Sequence, residues 1–145
     1  MIIIGRKDKI DIPQLGLFEV DAKIDTGAYG CALHCHHIEI VTIDNIELLT
    51  FKVLDPNHTE YKDKIYQVSE YKIKKVKNSG GEEEKRYTFK TKVSIFGKKI
   101  TTEFSLTDRG KMRYPILLGR KFISKRFLVD VQLEYLSFNK NIIKL

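Results

Sequence analysis

The sequence carries little that would tie it to a membrane, to the secretory route or to a helical fold. Its N-terminal apolar run, Met1-Ile2-Ile3-Ile4, is too short for the core of a signal peptide and far too short to span a bilayer. Cysteine is scarce: Cys31 and Cys35 are the only two. They make no disulfide framework, and a reducing compartment would keep both as thiols. The chain therefore reads as cytoplasmic, with no membrane partner. Helical periodicity is hard to find, the best short candidate being 120–125, "RKFISK". No internal repeat is visible, and no H-E-x-x-H zinc helix.

What is present suits one folded domain over residues 1–145, long enough to bury a core. Hydrophobic residues at 42% and charged residues at 31% are ordinary for a globular protein and argue against wholesale disorder. The net charge of +7 favours polyanionic partners: nucleic acid, an anionic membrane face or an acidic polypeptide. A basic, solvated surface with no special partner is the plainer alternative.

Strand chemistry dominates. Strands are predicted over 17–24, over 87–96 and, after a hairpin connection at Gly97-Lys98, over 99–106. Further strands are predicted over 127–131, 135–138 and 142–145. Segment 77–85, "KNSGGEEEK", reads as a loop tip or hairpin extension and not as an interdomain linker. The fold class that follows is all-β, closed or sandwiched, with one or two short helices.

Two stretches carry chemistry. Asp25-Thr26-Gly27 follows an apolar strand directly, with Thr26 able to brace the loop and Gly27 letting the backbone turn close to the carboxylate. The second is a cluster of zinc-type ligands, Cys31, His34, Cys35, His36 and His37. These are bunched in seven residues, where a strand would send His34 and His36 to one face and Cys31, Cys35 and His37 to the other. No cofactor is expected, with zinc at these five residues left open. A cysteine nucleophile at Cys31 or Cys35 is a third option, and it would need a depressed thiol pKa.

Far along the chain stands "ILLGR" (116–120). Together with "IDTGA" (24–28) it resembles the retropepsins, single-lobe aspartic proteases of retroviral type. The stretches at 4–17, 22–34, 78–87 and 113–131 narrow this to the bacterial retropepsin-like aspartic endopeptidase domain family. Its members were long labelled ATP-dependent zinc proteases and often accompany ATP-grasp ligases that append glutamate. The resemblance implies a closed acid-protease β-barrel and Asp25 as the catalytic carboxylate. Thr26, Gly27 and Ala28 would support the catalytic loop, and Ile116, Leu117, Leu118, Gly119 and Arg120 would pass beside it. Tyr29 and His34 are candidate substrate contacts. Where the family carries a small basic-polar run after D-T-G-A, this chain has Tyr29-Gly30-Cys31.

Aspartic protease chemistry needs two carboxylates sharing one proton, and this chain has a single D-T-G. The echoes at 78–80 and 108–110 lack the carboxylate or the hydroxyl. A homodimer with Asp25 at its two-fold axis would supply the second, and segments 2–4 and 142–145 are candidates for an intermolecular sheet. Either 55–60 or the loop at Gly80-Gly81 would cover the cleft. Lys62, Lys64, Lys72, Lys74, Lys75 and Lys77 would steer an acidic peptide, such as a ligase-added glutamate tail, if they face it. The competing function is a dimeric peptide-binding module that does not cut. A nucleic-acid-binding barrel ranks low, because the phenylalanines alternate with polar residues as core strands do.

Overall fold

A computed structural model describes residues 1–77, 80–108 and 114–145; of Val76 and Lys77 only the backbone is described. The all-β expectation holds. Among the described residues eleven strands run in chain order, beginning with β1 (Ile2–Ile4), β2 (Lys7–Ile12), β3 (Leu17–Ile24), β4 (Cys31–Ile43), β5 (Ile46–Val53) and β6 (Tyr66–Val68). These are followed by β7 (Lys72–Lys77), β8 (Glu83–Ile95), β9 (Lys98–Thr107), β10 (Ile116–Leu118) and β11 (Phe127–Val129). The described residues contain one α-helical turn, α1 (Arg120–Ile123), and one 3-10 turn, Pro13–Leu15.

Six strands close a barrel in the order β10-β3-β2-β8-β9-β4, because β10 also pairs with β4. The β10–β3 and β4–β9 pairs are parallel and the other barrel pairs antiparallel. β5 and β6 extend the sheet from β4, and β7 pairs with β8. Inside lies one apolar core in which Leu33, Phe51, Phe104, Ile116 and Leu118 are fully buried. Burying a side chain of this size contributes roughly 1.5–3 kcal/mol. Phe122 of α1 stacks on Phe127 of β11 at 5.8 Å, and Phe127 meets Phe96 at 5.7 Å. These rings hold the segment after "ILLGR" against the barrel.

Three local expectations need correction. The β8–β9 turn is Phe96-Gly97, both with positive φ (51° and 70°), and not Gly97-Lys98. A two-residue turn of this hand matches the strand twist, which moves the hairpin one residue toward the N-terminus. Residues 135–138 form turns, not a strand. There the buried Asp8 carboxylate accepts the N–H groups of Ser137 and Phe138, at 2.9 and 3.1 Å, taking the place of a ladder partner. Third, the C-terminal pairing is shorter than predicted: 127–131 pairs only as far as Val129, and 142–145 forms no strand, only the single bridge from Lys144 to Ile2.

The chain ends pair with each other. β1 lies parallel to β11, and Ile2 bridges Lys144 in antiparallel fashion. The outer face of this small sheet carries exposed Leu128 beside half-buried Ile3. No helix among the described residues is long and apolar enough to cross a membrane.

Candidate active site

Strand β3 delivers Asp25 to the rim of the barrel, and β10 runs beside it in parallel. The register sets Ile116 against Ala22, Leu117 against Lys23 and Leu118 against Ile24. On its other edge β10 pairs with β4, Ile116 to Leu33 and Leu117 to Ala32. The two sequence motifs, nearly a hundred residues apart, are thus neighbouring strands.

The contact continues past the strand ends. Asp25 N–H donates to the Leu118 carbonyl at 2.8 Å. The Asp25 carboxylate accepts the Gly27 N–H at 3.1 Å, and the Asp25 carbonyl accepts the Ala28 N–H at 3.3 Å. The Arg120 guanidinium donates to the Thr26 carbonyl at 3.0 Å and lies over the Tyr29 ring at 5.8 Å. Arg120 and Lys121 then donate their backbone N–H groups to the carbonyls of Ala28 and Tyr29, both at 2.8 Å. Every residue from 25 to 29 therefore touches the second motif or closes the turn itself. Asp25 is half-buried, while Thr26 and Tyr29 are exposed.

Gly119 makes this clamp possible. A Cβ there would fall 2.1 Å from the Gly30 carbonyl oxygen and 2.8 Å from those of Ala28 and Tyr29. No side chain fits such an approach of backbone to backbone. Gly30 as a partner of Gly119 was not anticipated from the sequence; a glycine trailing each motif is the only hint of it.

The five cysteine and histidine side chains do not converge. Cys31 and Cys35 are buried in the core. Burial pushes both thiols up, and the Asp108 carboxylate adds to the effect at Cys35. At Cys31 the Gly119 N–H and the charges of Lys121 and Arg126 oppose it only in part. A raised thiol is a weak nucleophile and a poor metal ligand. His34, 4% exposed, donates from Nδ1 to the Thr107 carbonyl at 3.2 Å and has Asp55 3.8 Å from Nε2. His36 donates from Nδ1 to the Leu54 carbonyl at 2.9 Å and stacks on Tyr61. His37 has a positive φ of 53° at a β-bulge, which breaks the expected alternation and brings its ring against His36. Among the described residues no three His, Cys, Asp or Glu side chains are grouped to hold a metal ion.

The histidines instead fasten residues 54–61 to β4, which pins one of the two candidate covers. The other is the β7–β8 hairpin, in register from Lys72↔Thr88 to Lys77↔Glu83. Asn78 and Ser79, and 109–110 with their D-R-G echo, lie outside the described residues, as do 111–113. Lys72 and Lys75 on β7 are exposed, and Lys74 pairs with Glu103 at 3.0 Å. Lys62 donates to the Gly16 carbonyl, and Lys64 lies over the Tyr66 ring; the Lys77 side chain is outside the description.

Comparison with known proteins gives this geometry a family. A probable alpha-L-glutamate ligase of Shewanella pealeana is 30% identical over 131 residues, covering 88% of this chain and 28% of the ligase. One of Parasynechococcus marenigrum is 31% identical over 130 residues, covering 89% and 28%. The chain thus spans a little over a quarter of the length of these curated relatives. A crystal structure of a Legionella pneumophila protein of unknown function is similar with a TM-score of 0.68 and 28% identity, covering 93% of this chain and 97% of that one. A family model described as the retropepsin-like aspartic endopeptidase RimB matches residues 3–140. With its single Asp-Thr-Gly turn clamped to "ILLGR" on a closed six-stranded barrel, the chain belongs to the RimB-like family of retropepsin-like aspartic endopeptidases.

Proposed function

We propose that the chain is one half of a homodimeric aspartic endopeptidase, with Asp25 as its catalytic carboxylate. The observation that carries this reading is the clamp: a carboxylate at the barrel rim whose turn is fixed at Asp25, Thr26, Ala28 and Tyr29 by the second motif. A carboxylate so held loses little freedom when it meets a partner, which is what preorganised chemistry requires.

One such carboxylate cannot complete the reaction. In the dimer, one Asp25 takes a proton from the attacking water while the other, protonated, donates to the scissile carbonyl oxygen. Two like charges at hydrogen-bonding distance do not ionise together, so the pair keeps one proton between them. The exposure of Thr26 and Tyr29 beside the turn, and of Leu128 on the terminal sheet, supports a surface that meets a second copy. The β7–β8 hairpin is the better cover, since 54–61 is tied down by His34 and His36.

The substrate is a carboxylate-rich peptide, laid across the cleft as an added strand. Exposed Lys72 and Lys75 on the hairpin would draw it in electrostatically. The region shared with probable alpha-L-glutamate ligases supports the removal of glutamates that such a ligase adds, and a functional link to an enzyme of that kind.

The test is a mass-spectrometric digest of peptides with and without glutamate-extended C-termini, run with wild type and Asp25→Asn at mildly acidic and neutral pH. Cuts within the glutamate extensions, made by wild type and absent from Asp25→Asn, are expected. Cuts that persist in the variant would overturn the Asp25 mechanism. Binding of the extended peptides without any cut would make the protein a dimeric binding module.

A further inference from the structure

At the pole formed by the chain ends, away from the D-T-G turn in sequence, three remote segments bring five cations to one cavity of about 560 Å³. The Phe96-Gly97 turn presents Lys98 and Lys99 at the start of β9. The end of α1 presents Lys125, in left-handed backbone with φ 67°, and Arg126. The Ile2–Lys144 bridge adds Lys144. All five residues are exposed, and none forms an ion pair with a carboxylate among the described residues. Arg126 spends one amino group on the carbonyls of Phe122 and Lys121. At the rim the Met1 nitrogen donates to the Leu145 oxygen at 3.1 Å.

The wall behind these cations is apolar. Ile2, Ile100 and Phe127, each less than a tenth exposed, line the same cavity. A low-dielectric wall behind charges of one sign concentrates their field in the space in front of them. Like charges held together without counter-charges cost free energy, and a bound polyanion would return it.

We propose that this pole is a binding site for an oligophosphate group. The choice of phosphate over carboxylate rests on spacing. An extended glutamate run sends alternate side chains to opposite faces and repeats on one face only every ~7 Å, so a single cavity of about 560 Å³ meets few of its carboxylates. Successive phosphates share bridging oxygens and pack their charges far closer. Lysine, a compact point charge with three donors, suits such a group without demanding one orientation. Inorganic polyphosphate and the triphosphate of a nucleotide are the two sources of this chemistry. The proposal does not involve Asp25; it requires that the cavity at the edge of the terminal sheet stay open in any dimer.

Isothermal titration of the full chain with inorganic tripolyphosphate tests it. Saturable binding at one per chain is expected, falling steeply with salt. The double variant Lys98→Gln/Lys144→Gln should weaken it about tenfold or more, the size of losing one good charge-assisted contact. Lys72→Gln/Lys75→Gln, with the same charge loss on the hairpin, should weaken it less than about twofold. All four lysines are exposed, and unchanged melting temperatures will show that the fold is intact. ATP binding as tightly as tripolyphosphate would support a nucleotide source, and much weaker ATP binding would support free polyphosphate. No saturable binding, equal losses in the two double variants, or equally strong competition by hexaglutamate or oligothymidylate would overturn the proposal.

Discussion

Two aspartates of this chain do opposite work, and the difference lies in what surrounds them. Asp25 sits half-buried at the rim with one backbone N–H on its carboxylate. Asp8 is fully buried, and its two oxygens accept the N–H groups of Lys9, Ser137 and Phe138. Burial raises Asp8 above the usual carboxylate range, against the pull of those three bonds. The folded chain therefore holds this proton more tightly than the unfolded chain does. The stability this group contributes is complete below the ordinary value of 3.8 and is lost as pH rises through the folded value. Asp8→Asn replaces one acceptor oxygen with a second donor facing a backbone N–H. It should cost about 1–3 kcal/mol near neutral pH, and it should flatten the acid-side change in stability, both measured by denaturant titration across pH. Nothing in the sequence distinguishes Asp8 from any other strand aspartate, because two of its three partners lie 129 and 130 residues away.

At the scale of elements, the Asp-Thr-Gly turn and β10 behave as one unit. The pairing of "IDTGA" with "ILLGR" was legible because each motif is short, ordered and carried on an apolar strand. The glycine contact between them was not, since it depends on two backbones meeting. Gly119→Ala should lower stability by about 3 kcal/mol, the upper part of the overpacking range, and should reduce peptidase activity in the fraction that still folds. Thermal melts and turnover per folded molecule measure the two effects. If activity per folded molecule were unchanged, the clamp would not be what orders Asp25. Elsewhere, β2, β5, β6 and β7 pass unnoticed in the sequence, and 135–138 reads as a strand when it is not. In β5 Leu49, Thr50 and Phe51 are buried in succession, which hides its period; 135–138 owes its turns to Asp8, not to its own residues.

At the scale of the molecule, the proposed dimer makes a quantitative demand. If each active site takes Asp25 from both chains, mixed dimers with an Asp25→Asn subunit lack one of the two carboxylates. After exchange, equal amounts of wild type and variant should leave about a quarter of the activity that the same total of wild type shows, as random pairing at an isologous interface requires. A fall to about one half would mean that each chain works alone, and the homodimer mechanism would be lost. Native mass spectrometry of the mixture, with the variant subunit isotope-labelled, checks that exchange has occurred.

By itself the sequence determined the fold class, the family and the position of the Asp-Thr-Gly turn. Period-two alternation and short motifs are local signals, set by residues within a few positions of each other. Only the tertiary structure decided which strands close the barrel, that Cys31 and Cys35 are core thiols, that His34 and His36 are anchors, and that five scattered cations share a pole. Each of these depends on a contact between segments distant in the chain. Burial, counter-charge and hydrogen-bond partners at such contacts are set by packing, which no single stretch of sequence contains.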